Sequence, residues 1–199
     1  MMRWLFTLLL ASAMGAAFAD ASPGRAAPAF SLRDATGKEV ALADFRGRIV
    51  VLEWVNPMCP FVRKHYGSQN MQSLQKRAVA SGVVWLSIQS THPEHSDYHA
   101  PAQLAEHLKG AGAAPSAVLM DDDGRVGRLY GARTTPQMFV VDAAGVLQYA
   151  GAIDDRRSAN PEDIRGARNH VAAALDEIRA GRAVSVAATT PYGCSVKYR

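Results

Sequence analysis

The chain has 199 residues, of which 48% are hydrophobic, and it carries a net charge of +4 and only two cysteines. This length is sufficient for one domain with a complete hydrophobic core. The charge is small and the Lys and Arg residues form no cluster, which argues against nucleic acid as a partner.

The first 19 residues have the features of a secretory signal peptide. Arg3 supplies a short basic end, residues 4–17 form an apolar run, and Ala-Phe-Ala at 17–19 is a cleavage site. The run is short and ends in small residues, which favours cleavage over a retained membrane anchor. We therefore expect export to an oxidising compartment, in bacteria the periplasm, with no stable membrane association afterwards.

Strands and helices alternate along the rest of the chain. The predicted elements, in chain order, are a lead-in hairpin, a strand at 49–55, one helix from 59 to about 80, a strand at 83–90, a polar loop at 91–100, a helix at 101–110, a strand at 117–120, a turn or short helix at 123–130, strands at 137–141 and 146–150, and a helix from about 161 to 181. This order fits a three-layer α/β domain with a mixed sheet over 20–181. Residues 182–199 are left as a C-terminal tail.

Cys59 lies where the first apolar strand gives way to a helix. Pro57 ends the strand, and Pro60 suits the first helical position. Free backbone N–H groups and the helix dipole favour a thiolate there. Three basic residues follow within two turns: Arg63, Lys64 and His65. Cys59 is therefore predicted to be a reactive nucleophile, and the alternative is a small buried hydrophobic residue.

Several segments together carry a family pattern. They are residues 27–32 and 37–48, the Val-Val-Leu-Glu-Trp strand at 50–54, Cys59-Pro60, Thr135-Pro136 before the strand at 137–142, and Gly145. The chain resembles the thioredoxin-like redoxins, in particular the peroxiredoxin-like branch of alkyl hydroperoxide reductase and thiol-specific antioxidant proteins. The resemblance implies a thioredoxin-like α/β/α sandwich with a central mixed sheet and no organic cofactor. It also implies a thioredoxin-like dithiol reductant as partner and a peroxide or protein disulfide as substrate.

The tail carries the second cysteine, Cys194, within a Gly-Cys-Ser sequence. The second thiol of a Cys-x-x-Cys motif is missing because that position is Val62. A resolving thiol must then come from Cys194, from another subunit or from a small thiol. Similar Gly-Cys-Ser endings occur in redoxins with a Cys-Pro-Phe-Val site, so the resemblance implies that Cys194 resolves Cys59. The alternatives are a static disulfide and an inert thiol.

Three further residues complete the predicted site. The resemblance implies a cis Thr135-Pro136 bond beside Cys59, with the Thr135 backbone free to pair with a substrate chain; an ordinary edge proline is the alternative. Glu53 occupies the position where thioredoxins keep a buried carboxylate. Burial would raise the pKa of Glu53 and suit it to accept a proton, whereas a solvated edge glutamate would have no such role.

The peroxidase pattern itself is incomplete. Leu52 and Asn56 stand where peroxiredoxins have a proline and a threonine or serine, and Pro136 stands where they have an arginine. The groups that would polarise a peroxide are thus absent from their usual positions. Arg63 and Arg133 are the candidates for the missing guanidinium.

A loop rich in histidine supports an alternative function. The segment from His92 to His99 holds three of the six histidines and, with Cys59 and Met58, offers ligands suited to copper or zinc. Pro93 disfavours a helix that would align these histidines, and their spacing matches no recognised ligand motif. A metal-binding or copper-delivery protein on the same fold is therefore the second hypothesis.

Overall fold

A seven-stranded mixed sheet organises the chain in the computed structural model, which describes residues 21–199; the predicted signal peptide lies outside this range. The strands of this sheet are β1 (Ser31–Asp34), β2 (Glu39–Ala41), β3 (Val50–Trp54), β4 (Val84–Gln89), β5 (Ala117–Met120), β7 (Gln137–Val141) and β8 (Leu147–Gly151). A separate two-stranded sheet pairs β6 (Thr134–Thr135) with β9 (Cys194–Ser195). The strand order of the large sheet is β2-β1-β5-β4-β3-β7-β8. The pairs β3/β4 and β4/β5 are parallel and the others antiparallel, so the predicted mixed sheet is confirmed.

Five α-helices and two 3₁₀ helices complete the described part of the chain. The α-helices are α1 (Pro60–Gly67), α2 (Asn70–Ala80), α3 (Pro101–Gly110), α4 (Arg125–Leu129) and α5 (His170–Arg179), and the 3₁₀ helices are Leu42–Phe45 and Pro161–Gly166. Within residues 21–199, none of these helices has the length and apolar character needed to cross a membrane.

Both faces of the sheet are buried, which explains why β3 is a nearly continuous apolar run. Alternate side chains point to opposite faces. Val51 belongs to the cluster beneath α1, α2, α3 and α5, whereas Leu52 and Trp54 belong to the cluster beneath α4. This arrangement is the three-layer sandwich predicted from the sequence.

Two predicted helices are each broken in the structure. The helix predicted from Cys59 to Ala80 is two helices, because the chain adopts a left-handed conformation at Gln69 (φ 60°) and the Ser68 hydroxyl donates to the carbonyl of Lys64 (2.7 Å). The helix predicted from residue 161 begins only at His170. Asn169 caps it by accepting a hydrogen bond from the Ala172 N–H (2.8 Å), and the acidic segment before it is the second 3₁₀ helix.

The C-terminal tail lies against the domain over most of its length. The Thr189 N–H donates to the Ala150 carbonyl (3.1 Å), so the tail first follows β8. It then pairs with β6 through β9, and beyond this pair the Val196 N–H donates to the carbonyl of Arg133 (3.0 Å). The tail therefore packs along β8 and then beside β6.

Candidate active site

Cys59 is the residue immediately before α1, with Pro60 at the first helical position as predicted. The loop before it is closed by Asn56, whose carbonyl accepts from the Cys59 N–H (3.0 Å) and whose side-chain oxygen accepts from the Met58 N–H (2.8 Å). Asn56 is itself buried and donates to Asp97 (3.0 Å), so it shapes the loop at the position where peroxiredoxins carry a hydroxyl. Only 2% of Cys59 is exposed to solvent.

The Cys59 thiol is directed at the cis-proline segment. Its sulfur donates to the Thr135 carbonyl (3.0 Å), and the Thr135-Pro136 peptide bond is cis, as predicted. The prediction that the Thr135 backbone stays free for a substrate chain is wrong for this structure. That position is occupied by the tail, in which Cys194 pairs directly with Thr135. The structure thus brings together the four predicted residues Cys59, Thr135, Pro136 and Cys194.

The two thiols are close enough to influence each other. Both cysteines are free, and Cys194 is partly buried. Burial raises the pKa of the Cys194 thiol to about 12, and a hydrogen bond with Cys59 and the charge of Cys59 act in the same direction. The Cys194 thiol therefore keeps its proton at neutral pH, and it must lose that proton before it can attack a sulfur.

Gly193 allows the tail to approach this closely. Its φ angle of 142° lies in a region that favours glycine. A Cβ atom at this position would lie 2.0 Å from the Thr135 carbonyl oxygen, so the backbone itself packs against the cis-proline segment. The Gly-Cys sequence of the tail is thus a steric requirement for placing Cys194 opposite Thr135.

Glu53 is fully buried, as the sequence resemblance implied, but it lies in a separate network. Its carboxylate accepts four hydrogen bonds, of 2.7–3.0 Å, from Tyr66, Gln75, Trp85 and Ser87. Burial raises the pKa of Glu53, and these four donors oppose the increase. Among residues 21–199, none of the hydrogen bonds of Glu53 reaches Cys59.

The basic residues after Cys59 do not surround its thiol with charge. Arg63 stays near, because its Nε donates to the Pro57 carbonyl (3.1 Å) in the loop before Cys59. Lys64 is buried and its ammonium donates to the Arg156 carbonyl (2.7 Å). Burial lowers the pKa of His65 to about 3, so its ring is neutral at pH 7. The predicted electrostatic role of His65 is therefore wrong, because its ring is neutral, whereas the Lys64 ammonium is held by the Arg156 carbonyl and Asp154.

Two residues with a clear connection to the site were missed from the sequence. Tyr192 is two positions before Cys194, and its hydroxyl donates to the buried carboxylate of Asp154 and contacts His65. The aromatic residue beside the tail cysteine was the available signal. The part played by Asp154 could not be recognised, because 38 residues separate it from Tyr192.

The histidine loop does not form a metal centre with the active-site cysteine. Within the described residues, no group of three or more His, Cys, Asp and Glu side chains is arranged to hold a metal ion. His95 Nδ1 accepts from the Asp97 N–H (3.0 Å), and His99 Nδ1 lies 3.0 Å from the Asp97 carbonyl. These histidines therefore serve the local structure of the loop.

Comparisons with known proteins agree with this geometry. The model of the AhpC/TSA family matches residues 23–150, and no curated protein matches the chain. An uncharacterized conserved protein from Geobacillus kaustophilus has a similar structure (TM-score 0.76, 27% identity, covering 90% of this chain and 93% of that one). A hypothetical protein from Sinorhizobium meliloti 1021 has the same fold (TM-score 0.74, 24% identity, 89% and 95%).

A protein assigned as the thiol:disulfide interchange protein DsbE from Chlorobium tepidum is also similar (TM-score 0.55, 25% identity, covering 77% of this chain and 98% of that one). The family model covers more than half of the chain, and its matched range contains Cys59 and the cis-proline segment. The protein is therefore a thioredoxin-like redoxin and belongs to the AhpC/TSA family.

Proposed function

We propose that this protein is an exported thiol oxidoreductase in which Cys59 is the nucleophile and Cys194 is the resolving thiol. The observation that carries the proposal is the pairing of Cys194 with Thr135, whose carbonyl also accepts the Cys59 thiol. Two cysteines 135 positions apart in the sequence thus meet at one residue, Thr135, beside the start of α1. The signal-like pattern of residues 1–19 supports export to the periplasm.

The chemistry requires two thiols and an external reductant. With a peroxide, the Cys59 thiolate attacks one oxygen, the O–O bond breaks, and the other oxygen leaves as water or an alcohol after gaining a proton. Cys194 then attacks the resulting sulfenic acid, which forms the Cys59–Cys194 disulfide and releases water. A dithiol protein reduces this disulfide by exchange and is itself oxidised.

A disulfide substrate follows the same two steps. Cys59 attacks one sulfur and expels a thiolate, and Cys194 attacks the mixed disulfide and expels the second thiolate. The family favours the peroxide, and the name of the similar Chlorobium tepidum protein favours the disulfide. In both cases the protein supplies the reacting sulfurs, so no organic cofactor is needed.

The other predicted residues have different parts in this proposal. Thr135 contacts both cysteines: its carbonyl accepts from the Cys59 thiol, and its backbone pairs with Cys194 beside the cis bond to Pro136. Arg63 lies in α1, its side chain contacts the loop before Cys59, and it is the candidate to bind an oxidant there. Glu53 was predicted as a proton acceptor, but its four hydrogen bonds within the interior favour a structural part in holding β3, β4, α1 and α2 together.

Mass spectrometry after stoichiometric oxidation tests the proposal. Reduced protein is treated with one equivalent of hydrogen peroxide or of oxidised glutathione, with and without a sulfenic-acid trap. We expect an intramolecular Cys59–Cys194 disulfide in the wild type, a trapped adduct on Cys59 in Cys194→Ser, and no adduct in Cys59→Ser. Cys194 is not the resolving thiol if Cys194→Ser turns over substrate as fast as the wild type with the same dithiol reductant.

A further inference from the structure

The hydroxyl of Tyr192 joins three separate segments of the chain, two residues before Cys194. It donates to Asp154 Oδ1, and His65 Nε2 lies 3.1 Å from the hydroxyl oxygen. The Asn70 side-chain amide donates to the other ring nitrogen of His65 (2.9 Å). Because that nitrogen must be an acceptor, Nε2 carries the ring proton and donates to Tyr192. Every member of this chain of hydrogen bonds thus has a consistent role.

This network is buried and includes opposite charges. Tyr192 is 7% exposed and Asp154 is 2% exposed. The Lys64 ammonium lies 3.9 Å from Asp154 Oδ2 and 5.4 Å from the centre of the Tyr192 ring. A buried carboxylate needs hydrogen-bond donors. Tyr192 supplies one of the donors to Asp154, and this hydrogen bond is lost when the tail dissociates from the domain. The low pKa of His65 keeps its ring neutral beside Lys64.

We propose that Tyr192 is a positioning residue, and that its hydrogen bonds to Asp154 and His65 hold the tail so that Cys194 lies against Cys59. This inference rests on the proposed function of the two cysteines. Lys64 and His65 belong to α1, the helix that begins directly after Cys59. The network therefore ties the tail to the same helix that carries the nucleophile, and Gly193 leaves only one residue between Tyr192 and Cys194.

Holding the tail also controls access to Cys59. Cys59 is 2% exposed while the tail is in place, and the Cys194 side chain contacts its thiol, so we expect a thiol reagent to reach Cys59 faster once the tail has left. Without the Tyr192 hydroxyl, Asp154 Oδ1 keeps the Arg156 N–H (3.0 Å) in the closed state but loses its second donor, which water replaces in the open state. Loss of a hydrogen bond to a charged group should increase the open fraction by about ten- to hundredfold.

The test compares Tyr192→Phe with Tyr130→Phe in the full chain. Tyr130 is a matched control because its buried hydroxyl donates to the Pro28 carbonyl (2.7 Å), away from the tail. Two rates are measured: alkylation of Cys59 by iodoacetamide in the reduced protein, followed by peptide mass spectrometry, and decay of a preformed Cys59–glutathione mixed disulfide. In that decay the Cys194 thiolate attacks the Cys59 sulfur and expels the glutathione thiolate.

We expect Tyr192→Phe to alkylate faster and to retain the mixed disulfide longer than the wild type, with the product of the two fold-changes about ten to a hundred, because both rates follow one equilibrium between open and closed tail. Tyr130→Phe should stay within about twofold of the wild type in both rates. Asp154→Asn keeps an acceptor oxygen but has no charge, so both of its rates should lie between those of Tyr192→Phe and Tyr130→Phe. The proposal is overturned if Tyr192→Phe matches Tyr130→Phe in both rates. Neither rate depends on turnover, so failure of the proposed function would appear instead as unaltered turnover in Cys194→Ser.

Discussion

Replacing Gly193 by alanine should detach the tail from the active site. A Cβ at this position would lie 2.0 Å from the Thr135 carbonyl oxygen, whereas real Cβ contacts are essentially never shorter than 3.0 Å. The backbone of the tail must therefore move by about 1 Å, which is enough to break backbone hydrogen bonds of ordinary length. Alanine also pays about 1–3 kcal/mol for the backbone conformation of this residue. Together with lost pairing, the docked tail should be destabilised by about 2–5 kcal/mol.

The direct assay is the rate at which the Cys59–Cys194 disulfide forms after limiting oxidation. Thiol trapping and mass spectrometry give this rate, and amide hydrogen exchange at residues 194–196 reports whether the tail is docked. Gly181→Ala is the matched control, because Gly181 also has a positive φ of 66° but no atom lies within 4 Å of the place that a Cβ would occupy there. We expect disulfide formation to slow at least tenfold in Gly193→Ala and less than about threefold in Gly181→Ala.

A Gly193→Ala variant with wild-type disulfide kinetics and wild-type exchange protection would refute this reasoning. It would mean that the tail tolerates a displacement of about 1 Å, so the close approach to Thr135 would not be what places Cys194. Increased exchange with unchanged disulfide kinetics would also count against it, because the reaction would then use an undocked tail.

Three other variants test the buried and charged groups. Burial raises the pKa of Glu53, so the wild-type free energy of unfolding should fall as pH rises above about 4; urea unfolding of Glu53→Gln should lack that fall. Burial lowers the pKa of His65 to about 3, so its contribution to the free energy of unfolding should be fully present above pH 6.5 and should fall by about 4–5 kcal/mol in total as the pH falls to 3. Acid titration of His65→Gln should show a much weaker pH dependence. Arg63→Ala should slow the oxidation of Cys59 by hydrogen peroxide about tenfold while changing unfolding by less than about 1 kcal/mol, measured by stopped-flow oxidation and urea unfolding.

The fold could be predicted largely because buried strands and their connections leave a local signal. The apolar runs at 49–55 and 83–90 correspond to β3 and β4 within a residue or two at each end. The break between α1 and α2 was missed for a physical reason: Tyr66 and Met71, on either side of it, enter the same core cluster. Apolar spacing therefore continued across the break, and only the left-handed Gln69 marks it.

The active site was predictable where its parts adjoin in sequence. Cys59 and Pro60 at a helix start and Thr135 before Pro136 are local patterns. Whether Lys64 and His65 place a positive charge near Cys59 depends on how deeply their side chains are buried, and the neighbouring residues in the sequence do not reveal this. The partner of His65 in the tail is 127 residues away, so no spacing rule connects them.

The tail has two conflicting tasks if Cys194 resolves Cys59. The docked tail places Cys194 opposite Thr135, and in this docked state only 2% of Cys59 is exposed. An oxidant or a reductant must reach Cys59, so the tail has to leave and return in each cycle. The β6/β9 pairing involves only two residues on each strand, which limits the backbone energy that holds the tail. The Tyr192 hydroxyl then contributes a substantial share of the free energy that holds the tail on the domain. Its removal should change both the access of reagents to Cys59 and the rate at which Cys194 attacks an oxidised Cys59.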